Sequence, residues 1–123
     1  MKFTNVKIVT FAPIANADEI RQALGSAGAG RIGEYSFCSY SVVGKGRFIP
    51  SDDANPQIGI AHIVETVTEE RIEVNCDRSL AKNVIDIMKK AHPYEEVAFD
   101  VYPIVDESDL SVSSNVVDEA MPK

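Results

Sequence analysis

At 123 residues, with 45% apolar and 25% charged, the chain has the make-up of one globular domain with one core, not of a disordered or fibrous protein. Its formal charge of −7 argues against general nucleic-acid or anionic-membrane binding, since neutralising phosphates takes clustered Lys and Arg, and here only Lys45/Arg47 and Lys89/Lys90 cluster. No apolar stretch approaches the ~20 residues that span a bilayer, and the start lacks the apolar core of a secretory signal, so a cytoplasmic protein is expected.

Residues 3–11 alternate Val6 and Ile8 against Val9 and Phe11, a short strand stopped by Pro13. Asn16 with Glu19 three residues on reads as a capping box opening a helix. Ile20, Ala23, Leu24 and Ala27 give that helix one apolar stripe, and Gly28 and Gly30 end it. A second strand is expected over 34–43, with Tyr35 and Phe37 on one face and Tyr40 on the other. Aromatic residues on both faces imply either that both are covered within the domain or that the second meets another subunit. Residues 44–59, with three glycines and two prolines, read as a long loop or hairpin tip.

Residues 60–76 are extended throughout, too long for one strand of so small a domain. A break near 66–70, or a ribbon projecting to grip a neighbour, is expected. Asp77 or Ser79 then caps a second helix with the stripe Leu80, Val84, Ile87, Met88 and Ala91. Pro93 ends it, and 96–104 forms the last strand. Cys38 and Cys76 fall in strands without metal-like spacing and are expected as buried free thiols. The domain is thus assigned to 1–105 and a polar tail, able to dock on the body or a neighbour, to 106–123.

The order β-α-β-β-α-β is that of an α+β ferredoxin-like sandwich, an antiparallel sheet with two helices on one face. In that topology the hairpin loop after the second strand and the turn after the second helix lie at the same end of the sheet. Lys45–Pro50 and His92–Glu96 should therefore be neighbours, with Gly28–Gly33 at the opposite end.

Those two segments carry the candidate chemistry. His92, Glu95 and Glu96 could serve as acid, base or metal ligands, although Pro93 breaks the helix between them and adjacent Glu95 and Glu96 point to opposite faces of a strand. The alternative is a helix cap, with His92 bonding the last carbonyls and Tyr94 packing over the helix end. Gly44-Lys45-Gly46-Arg47 resembles an anion cradle, or else a solvated hairpin tip. Glu69, Arg71 and Glu73 share a strand face and suit a cross-strand or intersubunit ion-pair ladder. His62 reads as a half-buried strand histidine. No Ser-His-Asp order, HExxH or dense His/Asp cluster marks a catalytic centre, so no catalytic residue is assigned.

Several motifs occur together in order: Ala27-Gly28-Ala29-Gly30-Arg31-Ile32-Gly33-Glu34-Tyr35, Cys38-Ser39, Gly44-Lys45-Gly46-Arg47-Phe48-Ile49-Pro50, Asn55-Pro56-Gln57-Ile58-Gly59, Glu70-Arg71-Ile72-Glu73 and Ala91-His92-Pro93-Tyr94-Glu95-Glu96-Val97-Ala98-Phe99-Asp100. Over residues 4–105 the chain resembles the PII/CutA-like insert domain of the Nif-three-like proteins (NGG-one-interacting factor three, also called type 2 GTP cyclohydrolase I), here as a stand-alone chain. The resemblance implies assembly through the open sheet face, as a trimer in the manner of PII and CutA proteins. The family's dinuclear metal centre lies on a separate domain flanking the insert, so the matched residues imply neither that centre nor cyclohydrolase activity. Where the family has a glycine after the loop proline, this chain has Ser51-Asp52-Asp53, whose charge weakens a phosphate cradle.

Three functional readings follow. The first is a non-catalytic oligomeric PII/CutA-like module, a small-ligand sensor or a lid on a protein partner bearing the metal domain. By analogy Lys45, Arg47, His92, Tyr94 and Glu95 would line an intersubunit cleft for a small anion or nucleotide. The second is a divalent-metal binder using His92 with Glu95 or Glu96, aided by His62 or Cys38 of a neighbour. The third is a small hydrolase with His92 as base.

Overall fold

The computed structural model describes residues 2–111. Strand β1 (Asn5–Pro13) leads into helix α1 (Ile14–Ser26); β2 (Tyr40–Phe48) and β3 (Glu65–Asp77) follow, then helix α2 (Arg78–Ala91) and β4 (Phe99–Ile104). The sheet order is β2-β3-β1-β4 with every neighbouring pair antiparallel. This is the expected ferredoxin-like arrangement, with both helices on one face.

Alternation in β1 and β3 decides which face is covered. Ile8, Ala12, Ile72, Val74 and Cys76 meet Ala17, Ile20 and Leu24 of α1 and Ala81, Val84 and Met88 of α2 in one core. Fully burying side chains such as Ile20 or Met88 is worth roughly 1.5–3 kcal/mol each, and the stripe at i, i+3 and i+7 lets both helices lie flat on the sheet. The α2 stripe is narrower than its sequence pattern: Leu80 is exposed, while Ile85 packs at the core's margin. Asp77 caps α2 by accepting from the Ser79 amide at 2.9 Å and its hydroxyl at 2.7 Å. Lys89 and Lys90 stand in its last turn, where the helix dipole favours cations.

Several boundaries differ from expectation. Helix α1 starts at Ile14 with Pro13 as N-cap and no side-chain cap. Proline's fixed φ sends the chain from strand to helix without a loop, so the Asn16–Glu19 box does not form and Asp18 pairs with Arg21 instead. Strand β2 begins at Tyr40, not at residue 34. Residues 30–38 form a folded crossing: the Gly30 amide bonds the Asn75 carbonyl at 2.7 Å, Cys38 bonds back to Gly30 at 2.8 Å, and Ile32 and Tyr35 bond each other. Phe37 takes φ +57 and lays its ring where a Gly25 side chain would be. Cys38 is therefore half-buried outside any strand, whereas Cys76 is buried, and that burial raises its thiol pKa.

Gly44–Phe48 belongs to β2 rather than to the loop. Strand β3 runs unbroken, pairing with β1 through 69–77 and with β2 through 65–73. Its first four residues have β2 alone beside them, so the β2–β3 ribbon projects past β1. His62, expected in a strand, sits in a turn at φ +65, exposed, with Nε2 2.7 Å from Asp52 Oδ1. Strand β4 starts three residues later than expected. Beyond it Glu107–Asp109 makes one 3-10 turn, capped by Asp106 accepting from the Ser108 amide; the remainder of the tail lies outside the described residues. None of the described helices is long and apolar enough to cross a membrane.

Candidate functional site

Register places Phe11, Gly46, Phe48 and Glu69 on the open face of the sheet, opposite the helices. Where the β2–β3 ribbon outruns β1, this surface is walled by residues 49–58 on one side and 94–98 on the other. The cavity between them, open to solvent on one side, is about 600 Å³, within the range of small-molecule sites. The expected neighbourhood of the two candidate segments is thus present. The Asn55 amide donates to Glu95 Oε2 at 2.6 Å across the cavity mouth, and the Gly28–Gly33 turn lies at the far end, tied to Asn75.

Each candidate residue has a definite place. His92 follows α2 in an extended conformation, as the residue before a proline prefers, and is 7% exposed. Its Nε2–H donates to the Phe11 carbonyl at 2.6 Å, and its Nδ1 accepts from the Tyr94 amide at 3.1 Å. A carbonyl can only accept and an amide can only donate, so these partners fix the neutral Nε2–H tautomer. Both ring nitrogens are used, and His92 is not part of the cavity wall. It pins the α2–β4 turn to the end of β1, close to the helix-cap alternative.

His92 was expected as a metal ligand or a base. With no lone pair facing the cavity, the ring fits neither a metal ligand nor a general base there. Glu95 and Glu96 do line the cavity, but among the described residues no group of three or more His, Cys, Asp or Glu is gathered to hold a metal.

Tyr94, stacked obliquely on His92 with ring centroids 4.9 Å apart, reaches into the cavity and donates its hydroxyl to Glu69 Oε2 at 2.9 Å. Burial, then the Glu69 hydrogen bond and charge, push the phenol well above its ordinary pKa. Arg47 contributes to the wall, while Lys45 does not; on β2 both fall on the opposite side of the strand from Gly46. The Gly44–Arg47 cradle is therefore not formed: these residues are paired strand, and no nest of amides faces an anion.

Glu69 was legible only as one rung of a charge ladder. The ladder forms in part, with Lys7 and Arg71 on Glu73 at 3.3 and 3.0 Å, and these cations hold Glu73 below the usual carboxylate pKa range, Arg71 most. Glu69 leaves it for Tyr94, and its Oε1 occupies the space a side chain at Gly46 would fill. Phe11, Phe48, Ile49, Pro50 and Ile58 also line the cavity. Three carboxylates, Glu69, Glu95 and Glu96, thus stand against one guanidinium, which runs against the small anion or nucleotide expected from the sequence.

No family model matches the chain. Individual relatives do. The chain is 48% identical over 98 residues to the GTP cyclohydrolase 1 type 2 homolog of Bacillus subtilis, covering 80% of this chain and 26% of that protein. It is 46% identical over 99 residues to the Mycobacterium tuberculosis homolog, with the same coverage of each. Among solved structures, a Bacillus cereus protein related to NIF3 superposes with a TM-score of 0.74 at 45% identity, over 85% of this chain and 26% of the other. CutA1 from Shewanella sp. SIB1 superposes with a TM-score of 0.65 at 18% identity, over 86% of each, a likeness of fold alone. The chain spans about a quarter of the length of the curated relatives it matches. Within that span it belongs to the Nif-three-like family, as its CutA-like domain.

Proposed function

We propose that this domain is a non-catalytic, homo-oligomeric module that assembles through its open sheet face and takes a small ligand in the cavity at the ribbon end. The observation that carries the reading is the set of large apolar side chains left uncovered on that face beside the Lys7–Glu73–Arg71 ion pairs. Tyr40 is 67% exposed, Val42 43% and Tyr102 45%, and register puts all three on the side away from the helices. A β-sheet face with large apolar residues left in water is an interaction surface, and the projecting β2–β3 ribbon offers unpaired edges beside it. The CutA-like fold supports a trimer. The role suited to such an assembly is sensing or covering a partner that bears the chemistry, and the geometry of His92 favours neither the metal-binding nor the hydrolase alternative.

Val42→Asp places a charge on the β2 side of this face without touching the helix-side core. Analytical ultracentrifugation of the variant should show dissociation to single chains with an unchanged far-UV spectrum. An assembly as stable as that of the unsubstituted protein would refute the open face as the contact.

A further inference from the structure

The cavity walls say more about the ligand than its position does, and the following step rests on the reading of that cavity as a ligand site. Phe11, Phe48, Ile49 and Pro50 give it an apolar body. At its sheet side stands Glu69, oriented by the Tyr94 hydroxyl at 2.9 Å and seated against Gly46, where any larger residue would displace it. Among the described residues no Lys or Arg forms an ion pair with Glu69, Glu95 or Glu96, although six such pairs or His–Asp contacts exist elsewhere. A carboxylate held on one side by a phenol and bordered by aromatic rings has no ion-pair partner among the described residues, although Arg47 lines the same wall, and an ion-pairing cation with a flat apolar body supplies one while the rings cover that body.

We infer that the cavity binds a small organic cation, an amine, amidine or guanidine on an apolar or aromatic frame, with Glu69 as the charge-recognising residue and Tyr94 positioning it. Glu95 is partly committed to the loop through the Asn55 amide and contributes field rather than direct pairing. Anions of the same shape are rejected by the three carboxylates.

Three probes of one shape and different charge test this: benzamidine, benzamide and benzoate, each titrated against the isotope-labelled full chain while backbone amide shifts are followed. Benzamidine should saturate, with shifts centred on Phe11, Gly46, Glu69 and Tyr94, and should bind at least about tenfold more tightly than benzamide or benzoate, as expected for one charged hydrogen bond. Glu69→Gln should cost about the same factor. Asp86→Asn, at an exposed pair with Lys82 on α2, should leave binding unchanged and so exclude net charge as the cause. Equal binding of benzoate, absence of saturation by benzamidine, or indifference to Glu69→Gln would each overturn the inference. The first two need no variant and hold even if Glu69→Gln fails to fold. Sedimentation of the same samples separates the two claims: an assembled protein that ignores benzamidine refutes the ligand class, and a single chain that binds it refutes the assembly.

Discussion

Replacing His92 by alanine tests whether this residue is a structural pin. The ring is buried and makes two hydrogen bonds that join three separate pieces of chain: the end of β1, the end of α2 and the start of the 94–98 wall. Each such bond contributes about 0.5–1.5 kcal/mol net, and leaving the Phe11 carbonyl or the Tyr94 amide buried without a partner adds about 1–3 kcal/mol. The sum is roughly 3 kcal/mol, equivalent in a domain of this size to about 12 °C in melting temperature. Urea and thermal unfolding at fixed protein concentration, which removes the mass-action term of assembly, give the comparison. His92→Gln, whose amide can donate in place of Nε2, should recover part of the loss. A His92→Ala variant less than about 1 kcal/mol weaker than the parent would refute the structural assignment and reopen the ring as a functional group.

Glycine positions offer a paired test. Gly30, at φ +80, would bring an added Cβ to 2.5 Å from the Cys38 carbonyl oxygen, so Gly30→Ala should cost about 2 kcal/mol or more. Gly44 has nothing within 4 Å of such a Cβ, and Gly44→Ala should change urea-unfolding stability by less than about 0.5 kcal/mol. Acid should weaken the fold through Glu73, whose pKa is held low by Arg71 and Lys7. Its contribution is present above the unfolded carboxylate value of about 4.3 and is lost as pH falls through the lower folded value. Unfolding midpoints measured against pH should show that acid limb, and Glu73→Gln should flatten it. Alkali acts on Tyr94 in the opposite sense, because its folded pKa is raised. Stability from the protonated phenol is full below about pH 10 and is lost as pH rises toward the folded value. Ultraviolet titration should find one of the four tyrosines ionising only with alkaline unfolding, and Tyr94→Phe should remove that step.

The architecture was legible because two helical stripes and the β1 and β3 alternations each name a buried face without knowledge of any partner. The stripe of Ile20 and Leu24 and that of Val84 and Met88 hold in the core. What failed depended on long-range pairing. Residues 34–38 look strand-like by composition, yet the Gly30 bonds to Asn75 and Cys38 and the positive φ of Phe37 fold them into a crossing. Gly44–Phe48 looks like loop because of its glycines, yet pairing with Glu65–Glu69 makes it strand. Topology brought the two candidate segments together correctly, since that needed only the order of elements. It could not assign roles within the site: His92 attracts attention as chemistry, but the Phe11 carbonyl, 81 residues away, uses its donor. Glu69 was hidden among alternating charges, because only the pairing of β2 with β3 sets its carboxylate against Gly46, diagonally across from it, and only the fold brings Tyr94 to it. The odd-numbered phase of Glu69, Arg71 and Glu73 was the signal that put it on the open face.

The proposed function depends on copies of this domain joining through that face. Sedimentation equilibrium of the unsubstituted chain at micromolar concentration tests it most directly. A mass three times that of the 13.4 kDa chain is expected, and a mass equal to one chain would contradict the account.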